Sequence, residues 1–132
     1  MVILHDDPAA VVGALVDAGV GRGDPVGLAL AMGDEGRRVL GLAATGRLLV
    51  GVAADAAIEA VAAIEAAVRP RWVWWSNEPA AVLVRHGVRL GACWDLSAVH
   101  RLLVGGWRTD EVRIWSTVRG LDHRQAPALG QL

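Results

Sequence analysis

"RPRWVWWSNEPAAVL", residues 69–83, places three of the chain's six tryptophans within four positions. In a strand, Trp72 and Trp74 point to one face while Val73 and Trp75 point to the other. Bulky apolar groups on both faces predict a strand inside a sheet, covered on both sides. Immediately beyond it, "EPAAVLVRHG" turns to helical spacing, with Gly87 as its terminating glycine. A strand running straight into a helix is the unit of an α/β fold.

Upstream, "DAAIEAVAAIEAAVRP" predicts a helix capped by Asp55 and stopped by Pro70, with Ala57, Val61, Ile64 and Val68 on its inner face. Before it lie three extended runs, "PVGLALAM", "RRVLGLAA" and "RLLVGVAA". The intervening "GDEG" and "TG" suit hairpin turns, so the runs predict an antiparallel meander. The N-terminal "VIL", residues 2–4, is a short edge-strand candidate. Asp7 then caps the helix "DPAAVVGALVDAG", with Val11, Val12, Leu15 and Val16 as its apolar stripe and Gly19 past its end. Downstream, "VRLGAC" predicts a fifth strand, Asp95 caps the helix "LSAVHRLLVGG", and one more helix spans Asp110 to Val118. A Pro- and Gly-containing tail follows. The predicted whole is a five-stranded mixed sheet, a three-strand meander followed by alternating helices and strands, with helices on both faces. Residues 1–105 form the sheet domain and 106–132 a helical segment and linker.

The composition narrows the function classes. At 132 residues the chain is one domain, large enough to bury a core. Hydrophobic residues make up 54% and charged residues 20%, the balance of a globular chain. The first ten residues lack a signal-peptide pattern, and no apolar run reaches spanning length without a charge or turn. A single cysteine, Cys93, excludes an internal disulfide, and the cytoplasm is the expected compartment. Net charge is −1, but residues 1–68 hold four arginines against nine acids, and residues 69–132 nine against five. That asymmetry can steer a polyanion to one end.

No group of residues amounts to a catalytic site. "GVGRG", residues 19–23, follows a helix and precedes a strand, the reverse of a phosphate loop. In "HDD", residues 5–7, Asp7 is committed to capping. Asp95 and His100 are five apart and do not share a helix face. A cap, a buried thiol at Cys93 and a surface or half-buried histidine account for that trio. Ser76 has no base beside it and no nucleophile elbow around it. Trp107 and Trp115 are the candidates for a partner contact.

Residues 8 to about 104 resemble the 3′–5′ exonuclease domain of family A (polymerase I-type) DNA polymerases. The form they resemble is that of GC-rich bacteria, labelled bifunctional 3′–5′ exonuclease/DNA polymerase. The likeness rests on "RWVWWS", "EPAAVLVRHGV" and above all "RLGACWDLSAVHRLL". In the family, a Gly-Ile-x-Leu stretch, a Phe-Asp pair and an apolar helix occupy the last position; Val88, Leu90, Trp94 and Asp95 match it. The resemblance implies an RNase H-like fold of the DEDD exonuclease class. Active members hold two divalent metals with carboxylates, which activate water and stabilise charge at phosphorus. Here Leu30 and Met32 stand at the first motif's Asp and Glu. Pro79 stands at the second motif's aspartate, or Ala81 if Asn77 matches the motif's asparagine. The third falls in the tail or beyond Leu132. The implied chain is a catalytically silent exonuclease-like domain with no catalytic, cofactor or metal residues. Its structural role would support a polymerase (DNA-directed nucleotidyltransferase) domain of the same parent protein in replication or repair. That domain would bring its own Mg²⁺, with template-primer DNA as the second partner and no membrane. Two alternatives stand beside this: a live exonuclease using Asp34 and Glu35 instead, and a free-standing interaction module sharing the fold.

Overall fold

The computed structural model describes residues 3–32, 38–44, 48–105 and 110–122. In chain order the elements are β1 (Ile3–His5), α1 (Pro8–Asp17), β2 (Pro25–Met32), β3 (Arg38–Ala44), β4 (Leu48–Ala53), α2 (Ala54–Ala67), β5 (Arg71–Trp74), α3 (Glu78–Arg85), β6 (Cys93–Asp95), α4 (Leu96–Leu103) and α5 (Glu111–Arg119). The strands make one six-stranded mixed sheet in the order β1-β4-β3-β2-β5-β6. The meander β2-β3-β4 is antiparallel, and β5 joins β2, β6 joins β5 and β1 joins β4 in parallel. Four of the five expected strands are present where expected, the fifth is displaced from 88–93 to Cys93–Asp95, and the N-terminal edge strand is the sixth.

Strand order decides where the helices go. The crossovers β1→β2, β4→β5 and β5→β6 all run in the same direction across the sheet. Right-handed crossovers moving one way deposit their helices on one face. Val11 and Leu15 of α1, Val61 and Ile64 of α2 and Leu83 of α3 accordingly share a core with Val26, Leu28, Leu42, Val52, Trp72 and Trp74. The expectation of helices on both faces is corrected to three helices on one face. Among the described residues, Leu96, the first residue of α4, reaches the margin of the other, beside Trp75. So β5 lies inside the sheet as its tryptophans require, but it is covered on one side: Trp72 and Trp74 are buried while Trp75 is exposed.

Local chemistry sets the element ends. Asp7 caps α1, its Oδ1 accepting from the Ala9 amide at 3.1 Å. Val16, assigned to the inner stripe of α1, is instead exposed. Asp55 does not cap α2. β4 runs directly into the helix, Ala53 takes the cap position without a side-chain bond, and Asp55 sits in the first turn, where its charge suits the helix dipole. Ala57, Val61, Ile64 and Val68 are all buried, as their spacing predicts. Residues 88–92 are not strand; β6 begins only at Cys93. The reason is a competing partner: the Gly91 amide donates to Glu65 Oε1 at 2.8 Å. Asp95 caps α4, as expected, and Asp110, expected as the first residue of the last helix, instead caps α5. The two hairpin turns, the Asp34–Glu35 pair, Trp107 and the tail from residue 123 lie outside the described residues.

Candidate functional site

Two of the metal-site positions implied by the exonuclease resemblance, Leu30 and Pro79, fall on the helix-covered face. Leu28 and Leu30 project from β2 toward α2 and α3, where they line a hollow of about 20 Å³ with Ile58, Pro79 and Leu83. Leu30 is partly open to solvent and Pro79 is buried. The fold thus brings Leu30 and Pro79 to one apolar hollow, although nearly fifty residues separate them. Ala81 is exposed, away from it. The side chain of Met32 lies outside the described residues. A pair of divalent cations needs carboxylate or carbonyl oxygens around it. The hollow's lining side chains are hydrocarbon, so they do not fit such ions. No three His, Cys, Asp or Glu side chains among the described residues form a metal-binding group.

Glu65 organises the neighbouring end of the sheet. Its Oε2 accepts from the indole Nε1 of Trp72 at 2.8 Å while Oε1 takes the Gly91 amide. One carboxylate on α2 therefore fixes both the central tryptophan and the approach to β6. Cys93 lies close by. Partial burial, followed by the Glu65 charge, pushes its thiol pKa above the ordinary value. The expected burial of this thiol is corrected, since an edge-strand position leaves the residue exposed. On the opposite face the Arg71 guanidinium stacks over Trp94 at 5.6 Å from the ring centroid.

The remaining sequence candidates stay apart. His5 is in β1 and Asp7 is a cap. Ser76 is exposed. In "GVGRG" the Gly21 amide donates to Asp24 Oδ2 at 2.8 Å, closing a turn. His100, expected at the surface or half-buried, is buried between α4 and α5 because its ring meets Thr117, with Nε2 3.2 Å from Oγ1. The Thr117 hydroxyl donates to the Arg113 carbonyl, which leaves its oxygen to accept from His100 Nε2–H. His100 Nδ1 and Ser116 Oγ are buried there without hydrogen-bond partners. Trp115 is half exposed beside Arg119, 5.8 Å from its ring.

A larger concavity lies elsewhere, on the bare face of the sheet. It is a trough of about 400 Å³ floored by Gly27, Ala29, Gly41, Ala43 and Gly51 and walled by Trp75 and Leu96. The signal for it was present in the alternation of large and small residues along "VGLALA" and "VLGLAA". Reading those runs only as strands, without asking what their small face packs on, overlooked it.

Compared with known protein families and with curated proteins, the chain matches none.

Proposed function

We propose that this chain is a catalytically silent 3′–5′ exonuclease-like domain of a family A DNA polymerase-like protein. The carrying observation is the meeting of Leu30 and Pro79 at one hydrocarbon-lined hollow. Those are two of the positions at which the resemblance calls for metal-holding acids, and their convergence supports the register in which both were replaced. Strand order lends further support. A mixed sheet β4-β3-β2-β5-β6 in which β3 alone is antiparallel to the rest is compatible with the RNase H-like sheet that the resemblance implies. Its role is then to support a polymerase domain of the parent protein, which carries its own Mg²⁺. Trp115 and the arginines of α5 face template-primer DNA or that domain.

The test is incubation of the purified chain with 3′-labelled single-stranded DNA and Mg²⁺ or Mn²⁺. The reading expects the label to stay at full length. Degradation that disappears in Asp34→Ala/Glu35→Ala establishes the relocated-acid nuclease instead. A second reading, an interaction module that shares the fold, is favoured by the uncovered sheet face. A gene whose frame continues into polymerase motifs supports the first reading over the second.

A further inference from the structure

We propose that the β5–β6 edge of the bare sheet face binds single-stranded nucleic acid, with successive bases stacked on Trp94 and Trp75 and a backbone phosphate held by Arg71. This site lies on the opposite side of the sheet from the Leu30–Pro79 hollow and does not depend on the exonuclease-like reading.

The register brings these three side chains together. Val73 lines the bare face, and Trp94 pairs with it across the β5–β6 ladder, so the Trp94 indole stands on that face too. Arg71 and Trp75 lie two positions before and two after Val73. Trp94 is therefore diagonal to both, about 8 Å away at strand spacings. The ring of Trp94 is 47% exposed and that of Trp75 36%, whereas Trp72 and Trp74 fill the core on the other face. The Arg71 guanidinium lies 5.6 Å from the Trp94 centroid, so a cation and a π surface are presented as one unit.

Charge and shape select the partner. Among the described strand residues that alternate onto this face, Arg71 alone is charged. An apolar partner would bury that guanidinium without a counter-charge, whereas a phosphodiester chain supplies one. Arg69 and Arg89, both exposed, stand on the segments leading into β5 and β6 at the same end. Asp24 and Glu65, the carboxylates of the adjoining segments, are held by backbone amides. The pattern is a row of exposed indoles with cations at one end, and sheet faces of this kind stack successive bases of a single strand. Every base offers a π-face, so such a surface tolerates any sequence. Beyond Trp75 the glycine-floored trough leaves depth for a further nucleotide.

Fluorescence anisotropy of a labelled oligothymidylate of about 12 nucleotides, titrated with the chain at low salt, reads the outcome. Trp94→Ala and Trp75→Ala should each weaken binding roughly 5- to 150-fold, the worth of one stacked base, while circular dichroism stays unchanged. Trp94→Phe keeps an aromatic platform and should retain most of the affinity. Arg71→Ala should weaken binding and make log K fall less steeply with log salt, by about 0.7, the share of one phosphate on a single strand. Oligouridylate should bind as oligothymidylate does, since neither contact reads the 2′-hydroxyl. A duplex of the same length should not bind, because its bases are already stacked. No anisotropy change up to about 100 µM protein overturns the proposal. Affinity unaltered in Trp94→Ala, or equal binding of the duplex, overturns it as well. Affinity lost in Trp115→Ala and kept in Trp94→Ala also overturns it, and assigns the nucleic-acid contact to α5.

Discussion

Glu65 is the side chain on which most of the local order depends, since two donors from separate segments converge on its carboxylate. Charge-assisted bonds of this kind contribute more than neutral ones, and a buried indole N–H left unpaired is costly. Glu65→Ala should therefore destabilise the chain by about 2 kcal/mol in urea unfolding. The same carboxylate raises the Cys93 pKa, second to partial burial. A raised pKa means less thiolate, so iodoacetamide at about pH 8 should label Cys93 more slowly than a free cysteine. Glu65→Gln should speed the labelling, and an unchanged rate would show that its charge does not reach the sulfur. Arg69 is the one non-glycine residue with positive φ among those described, at 51°, where the chain leaves α2 before Pro70. Glycine is the residue suited to that place. Arg69→Gly should stabilise by about 0.5–1 kcal/mol, read as a higher urea midpoint.

At the scale of elements, caps and periodicities were legible because they depend on residues a few positions apart. Asp7, Asp95 and Asp110 all cap the helices they precede. Asp55 misled because a cap needs a free residue between strand and helix, and β4 leaves none. The strand at 88–92 misled because Glu65, twenty-six residues away from Gly91, takes an amide that the sequence pattern assigned to a ladder. No local window contains that competition. Helix α5 is held to α4 through His100 and Thr117, with the Ser116 hydroxyl buried and unpaired beside them. Removing an unpaired buried hydroxyl relieves its desolvation cost. Ser116→Ala should accordingly leave stability equal or raise it by up to about 1 kcal/mol, and a clear loss in thermal unfolding would mean the hydroxyl has a partner.

For the whole molecule, α/β character and the mixed sheet followed from the order of patterns, whereas the one-sided distribution of helices did not. It follows from strand order together with crossover handedness, and strand order is a long-range property. The bare face, in turn, was encoded in the small residues of β2, β3 and β4 but has meaning only once the helices are known to lie on the other side. No helix among the described residues is long and apolar enough to cross a membrane. The candidate site was legible in part: the resemblance supplied Leu30 and Pro79 as positions, and the fold brings them to one hollow. The central claim is that this hollow cannot gather cations. Titrating the chain with Mn²⁺ while following the free-ion signal by electron paramagnetic resonance tests it most directly. The account predicts a signal that grows in proportion to added metal, as in buffer alone. Two tightly held ions per chain, lost in variants at positions around Leu30 and Pro79, would contradict it.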